Sequence, residues 1–257
     1  GGSLTAQARH RVDQSLDRLG LDYVDIVFCH RFDYNVQLEE VCRAMHDAVA
    51  AGLAFYWGTS EWPAPYIAAA IELCRRWGWH EPVAEQCQYN MLERAKMERD
   101  YLPLFTRYGL GTTVWSPLAS GLLSGRYNAG ERHGRLESDK YWGMYMAGEK
   151  HERTLRVLRA LGEFAAELGV TQAQLCLAWV LANSGTSTCI LGASRLEQLE
   201  ENVRALELAA RWSPAFEDRI EHILGNRPAE EPSYRPGTTP VLSRRRMLAL
   251  PRGEQPL

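Results

Sequence analysis

The chain has no Gly-x-Gly-x-x-Gly after a predicted strand, so the dinucleotide fingerprint of a Rossmann domain is absent. It has no Gly-x-Ser-x-Gly elbow and no His-Glu-x-x-His pair, which removes two common hydrolase arrangements. Its six cysteines, Cys29, Cys42, Cys74, Cys87, Cys176 and Cys189, lie in apolar stretches without Cys-x-x-Cys spacing. Buried free thiols are therefore expected rather than a disulfide frame or a metal site. That usage predicts a reducing compartment, the cytosol or a plastid. No apolar run approaches the roughly 18 residues that cross a bilayer, and no membrane insertion is expected. The first ten residues are polar and carry no secretory signal. Charge of neither sign dominates: the net value of −3 argues against a nucleic-acid or anionic-membrane partner.

What is present is a strand–helix alternation. At 257 residues with 46% hydrophobic and 24% charged side chains, the chain suits one large globular domain. The spacing predicts a helix over 5–19, with Ala8, Val12, Leu16 and Leu19 on its inner stripe. Strands follow at 24–29, 53–57 and 83–89; between them lie a helical run from Leu38 to Val49, ended by Gly52, and a helix over 63–77. In the second of these helices Tyr66, Ala69, Ala70, Leu73 and Trp77 are expected inward. A weak helix over 96–108 leads to a strand at Thr112–Trp115. Helices over 151–168 and 171–183 precede a fifth strand at Thr188–Leu191. The helix over 195–208 should bury Leu196, Leu199, Val203 and Leu206, and Ser213-Pro214 opens the last helix. The loop 128–148 is long enough to be a lid or disordered. Beyond Arg227 lie six of the twelve prolines and Arg244-Arg245-Arg246. That composition predicts a domain over 1–226 and a disordered tail over 227–257. Strands alternating with helices imply an α/β fold with a parallel sheet.

The distinctive residues gather at strand C-terminal ends: His30, Ser60, Gln86, Ser116 and Ser194. Barrels and doubly wound sheets keep their sites there. The stretch Thr112–Tyr127 stops as a strand at Ser116-Pro117, with Ser116 expected to be extended. It continues through Ser120, Gly121, Ser124, Gly125 and Arg126. Free amides, hydroxyls and one cation suit a phosphate-bearing ligand, although the same residues make an ordinary turn. Gly192-Ala193-Ser194 feeds a helix N-terminus, which attracts anions, and Arg195 stands beside it. Ser194 with Glu197 also fits a capping box. His30 is either a proton donor to a carbonyl or a structural histidine. Trp115 is either a stacking face or a core residue. Polar Glu85, Gln86 and Gln88 inside a strand require partners and hint at a lined cavity.

These motifs, in this order, resemble the aldo-keto reductase family, and within it the plant-type potassium channel β-subunit branch. The resemblance runs from about Gln7 to Asn226. It is carried by Tyr23-Val24-Asp25, Tyr56 to Trp62, Glu85-Gln86, Trp115 to Gly121, and Gly192-Ala193-Ser194 with Gln198, Glu201 and Asn202. It implies a (β/α)8 TIM-barrel family fold, here an incomplete barrel with about five parallel strands, and NADPH as cofactor. By resemblance, Ser60 and Gln86 hold the carboxamide, and Trp115 flanks the nicotinamide. Ser116, Pro117, Leu118, Ser120 and Arg126 line the pyrophosphate. Gly192, Ser194, Arg195, Gln198, Glu201 and Asn202 take the adenosine and its 2′-phosphate, and Arg135 is a further candidate. His30 falls on the family's active-site histidine.

The implied activity is carbonyl reduction, with a small carbonyl compound as substrate. The alternative is a non-catalytic regulatory subunit that binds a potassium channel α subunit, and self-association of this chain into a homo-oligomer is a further expectation of the resemblance. The family's catalytic Asp, Tyr and Lys belong to three earlier β/α units that this chain lacks. Impaired catalysis is therefore expected, and so is a chain that is poorly stable or completed by a partner.

Overall fold

A computed structural model describes residues 4–130, 143 and 145–229, with side chains from His10 onward. Arg135, His133, Arg244–Arg246 and nearly all of the proline-rich tail lie outside the described residues. The chain divides into two compact units, one of Gly1–Cys87 with Asp100–Thr113, the other of Gln88–Arg99 with Val114–Leu257.

The first unit carries α1 (Leu4–Leu19), β1 (Val24–Cys29), α2 (Leu38–Ala50), β2 (Ala54–Ser60) and α3 (Ala64–Trp77). It continues with β3 (Ala84–Gln88), α4 (Leu102–Tyr108) and the start of β4 (Gly111–Trp115). β1 pairs with β2 in parallel from Val24 opposite Ala54 to Cys29 opposite Thr59. β2 pairs with β3 from Gly58 opposite Ala84 to Ser60 opposite Gln86. Parallel pairing follows because a helix makes each return. The register requires glycine at 58. A Cβ there would lie 2.6 Å from the Ala84 carbonyl oxygen and 2.7 Å from the Phe28 ring.

Two helix faces differ from the expected ones. In α3 the buried face is Ile67, Ala70, Ile71 and Cys74, while Tyr66, Ala69 and Trp77 are exposed. The apolar residues of α3 outnumber one face, so periodicity alone chose the wrong stripe. Leu19 at the end of α1 is 63% exposed, because Gly20 turns the chain just after it.

The second unit holds the end of β3, a π-helical turn (Lys96–Asp100, of which Asp100 falls in the first unit) and the end of β4. The predicted helix over 96–108 is thus split before Pro103. A 3-10 segment (Ala119–Ser124), α5 (Lys150–Glu167) and α6 (Gln172–Leu181) follow. β5 (Thr188–Cys189), α7 (Leu196–Val203), α8 (Ala205–Ala210) and α9 (Pro214–Leu224) complete it. Here Tyr89 N–H donates to Trp115 O and Ile190 N–H to Val114 O, so neighbours again follow chain order. α6 is buried on nearly every side and opens with the expected capping box of Thr171 and Gln174.

Arg94 organises this unit's interior. It is 3% exposed, bonds Glu98 and Glu221 at 2.7 and 2.5 Å, and lies over the Trp179 ring. Asn226 accepts from the same guanidinium, and Tyr89 donates to Glu98. Burial works against the Arg94 charge, but Glu221 and Glu98 outweigh it and hold the guanidinium more firmly protonated than usual.

The helix expected over 195–208 is broken at Arg204, and its predicted apolar face points outward. Leu196, Leu199, Val203 and Leu206 are 42–65% exposed, whereas Asn202, Ala205 and Leu208 are buried. Among the described residues no single helix is long and apolar enough to cross a membrane.

Candidate functional site

A cavity of about 760 Å³ opens inside the second unit, within the range of small-ligand and cofactor sites. One wall is the turn after β4. Trp115, Ser116, Pro117, Leu118, Ser120 and Arg126 line it, as do Gly121 and Ser124. The turn is tightly wound: Ser116, Ala119 and Ser120 have φ of 53°, 47° and 58°, and Gly121 has 95°. Ser116 is therefore left-handed, not extended as its place before Pro117 suggested. That conformation is costly for a residue with a side chain and must be held from outside. Asn90 holds it. Its Nδ2 donates to Ser116 O at 3.0 Å, and its Oδ1 accepts from the Leu92 and Glu93 amides. The Ser116 hydroxyl in turn accepts from the Ser120 amide.

The opposite wall comes from the strand end at β5 and from α7. Gly192, Ala193, Ser194, Gln198, Glu201 and Asn202 face the cavity. Ser194 does not cap the helix. Its amide and hydroxyl both donate to Gln198 Oε1, and the N-cap is Arg195 without a side-chain cap bond. Arg195 lies outside the lining, unlike the residues on either side of it in the motif. α7 is pinned to α6 by Gln174, whose Nε2 donates to Glu201 O at 2.8 Å. This bond turns Gln198, Glu201 and Asn202 toward the cavity and leaves the leucines outside.

The chemistry of the wall is that of an anion and amide binder. Arg126 is exposed and pairs with no carboxylate among the described residues, so its charge is available to a ligand. Asn202 is 8% exposed, and no hydrogen bond occupies its amide among the described residues. That amide opens on the cavity and can bond a polar group there. Tyr127, Ala173, Ile190 and Leu191 also line the cavity. Sequence reasoning missed them, since apolar residues carry no signal that separates a wall from a core.

The other predicted residues lie in the first unit, at the ends of β1, β2 and β3. His30 is exposed just past β1. The Ser60 hydroxyl donates to Gln86 O at 3.1 Å and accepts from Arg31 Nη1 at 2.9 Å. Its second lone pair can still accept from an –NH2 group. The Gln86 amide has no hydrogen-bond partner among the described residues. Arg31 was not anticipated; the signal was a cation directly after His30 at a strand end. Glu85 proves to be a buried strut rather than a cavity wall. Thr59 Oγ1 donates to it at 2.5 Å and the Glu61 amide also donates to it, which fixes Glu61 at φ 59°. Tyr101 donates to Trp62 O, and burial together with the Glu85 charge pushes its phenol well above the ordinary range. Gln88 likewise has a partner in Tyr145.

A parallel β/α arrangement with a polar cavity at strand ends is that of barrel and doubly wound ligand-binding folds. The family model described as "Aldo/keto reductase family" matches residues 2–223, and the chain belongs to that family. The chain is 42% identical over 226 residues to a "Probable voltage-gated potassium channel subunit beta" of Arabidopsis thaliana. That match covers 86% of this chain and 68% of the relative. A protein of the same name from Oryza sativa subsp. japonica is also 42% identical, over 223 residues, 86% of this chain and 68% of its own length. Five parallel strands of the eight that a closed barrel of this type uses are found among the described residues.

Proposed function

We propose that the chain is the cofactor-binding part of an NADP-dependent oxidoreductase that interconverts a carbonyl compound and an alcohol. The observation that carries this reading is the cavity of the second unit. It joins Arg126, which pairs with no carboxylate among the described residues, the wound Ser116–Gly121 turn and the Asn202 amide in one polar wall. These residues fit a dinucleotide. The amides and Arg126 suit a pyrophosphate, and Ser194, Gln198, Glu201 and Asn202 suit a nucleoside with its hydroxyls and ring nitrogens. Arg195 joins this set as the cation nearest Ser194 in sequence. When bound, the cofactor supplies a hydride to the carbonyl carbon. Within the first unit by itself, the Ser60 hydroxyl can accept from an –NH2 group, the Gln86 amide can pair with another amide, and His30 can hydrogen-bond a carbonyl oxygen.

A second reading rests on the names of the relatives. They support a regulatory β subunit that holds the nucleotide as a structural ligand beside a channel α subunit. The six free cysteines suit either reading in a reducing, cytoplasmic setting. Two measurements separate the readings. NADPH-dependent absorbance loss at 340 nm with an aromatic aldehyde supports the oxidoreductase. Saturable NADPH binding without turnover, together with co-purification of a channel's cytoplasmic domain, supports the subunit.

A further inference from the structure

The end of β1 carries a guanidinium whose binding capacity is only half used. Arg31 spends a single nitrogen, Nη1, on three anchors: His30 O at 2.6 Å, Ser60 Oγ at 2.9 Å and Ser60 O at 3.4 Å. Its Nη2 and Nε hold no partner among the described residues, and no carboxylate there pairs with it. The adjacent acid, Asp33, is engaged elsewhere: its Oδ1 accepts from the Asn35 amide and Nδ2. A guanidinium fixed on one nitrogen and open on the others is pre-organised for bidentate recognition of a carboxylate.

Beside it stands a wall of rings from the segments after β1 and β2 and from the first turn of α3. Phe32 stacks on Tyr66 with centroids 4.0 Å apart and meets Trp62 edge-on at 5.0 Å. Tyr34 closes against both Phe32 and Tyr66, yet is 70% exposed. Trp62 is buried, so its contact with Phe32 ties the segment after β1, which carries His30 and Arg31, to the interior. A planar ring carrying an anionic group would meet both an aromatic edge and a fixed cation here.

We propose that Arg31 is a specificity determinant that selects carbonyl substrates bearing a carboxylate, with the Phe32–Tyr34–Tyr66 rings favouring an aromatic body. The proposal rests on the oxidoreductase reading for its biological meaning. Its physical content is carboxylate binding, which needs no turnover. The guanidinium takes the carboxylate through Nη2 and Nε while Nη1 keeps its bonds to Ser60 and His30.

The test is calorimetry on the full chain with two product-like alcohols, 4-(hydroxymethyl)benzoate and benzyl alcohol. The preference of each protein for the first over the second is the readout. The wild-type protein is expected to prefer the carboxylate by about tenfold, and less at high ionic strength. Arg31→Gln should lose that preference. Arg31→Lys should keep a smaller one, because an ammonium supplies charge without the fork. The ratio is taken within each folded variant, so a general loss of affinity does not mimic the result. Equal affinity for both alcohols in the wild type, no detectable carboxylate binding at millimolar concentration, or an unchanged preference in Arg31→Gln would overturn the proposal. NADPH binding without a carboxylate preference sinks this inference and leaves the oxidoreductase reading standing. A carboxylate preference without NADPH binding does the reverse.

Discussion

The side-chain amide of Asn90 reaches the carbonyl of Ser116 at 3.0 Å, and the conformation of the cavity wall depends on that bond. Ser116 is left-handed before a proline, where sterics oppose it. Asn90 is fully buried and satisfies two further amides. Asn90→Ala should cost about 1–3 kcal/mol in urea unfolding, the penalty for orphaned buried groups. It should also weaken NADPH binding more than a surface change of equal destabilisation. Unchanged affinity with reduced stability would mean that the turn holds its shape without Asn90.

The Arg94 cluster makes a prediction about stability alone. Arg94 and Glu98 are both nearly inaccessible, and Glu221 is bound to the same guanidinium. Removing the cation leaves two carboxylates in a poorly solvated space. Arg94→Ala should destabilise the protein by about 3–5 kcal/mol by denaturant titration. Replacement of Arg94 and Glu98 together by apolar residues of similar size should cost less than the single change. A double variant worse than Arg94→Ala would contradict this account of the cluster.

Alkaline pH should loosen the fold through its thiols. Burial raises the Cys29 thiol from the ordinary 9.0 to about 11, and the Cys189 thiol to about 12. Above about pH 9 the unfolded chain releases these protons while the folded chain keeps them. The stabilisation is therefore fully present below pH 9 and is lost as pH rises toward the folded values. Melting temperature should fall between pH 9 and 11, and thiol reagents at pH 8 should label the native chain slowly and the denatured chain fast. Rapid labelling of native Cys29 at pH 8 would contradict the assignment.

Gly58 has no room for a side chain against Ala84 O and the Phe28 ring. Gly58→Ala should displace β2 from its neighbours and cost about 1–3 kcal/mol or more, the range for overpacking. A folded variant with unchanged melting temperature would show that Phe28 can swing aside.

The strands and their order were legible because turn residues bound short β-branched or aromatic runs, as at Val24–Cys29. Local capping was legible for Thr171 with Gln174 and for Ser213 with Phe216, but not for Ser194 with Glu197. Helix faces were less so. Leu196, Leu199, Val203 and Leu206 have perfect inward spacing, yet Gln174 bonds Glu201 O and sets α7 the other way. A tertiary bond from another helix cannot be read from local periodicity. Most polar residues that line the second unit's cavity stand in motifs legible in the sequence, although Arg195 does not line it, and the capping-box reading of Ser194 fails because its hydroxyl serves Gln198. Arg31 carried only a weak signal, a cation directly after His30 at a strand end, and its bond to Ser60 is what marks it.

The central claim is that the wall from Ser116 to Arg126 and the inner face of α7 hold a dinucleotide phosphate. NADPH titration by tryptophan quenching, comparing the wild-type chain with Arg126→Ala and Asn202→Leu, tests it most directly. The account predicts saturable binding by the wild-type protein and at least about tenfold weaker binding in each folded variant, the effect of losing one charge-assisted or buried hydrogen bond. Equal affinity in all three proteins, or no binding by the folded wild-type chain, would contradict it.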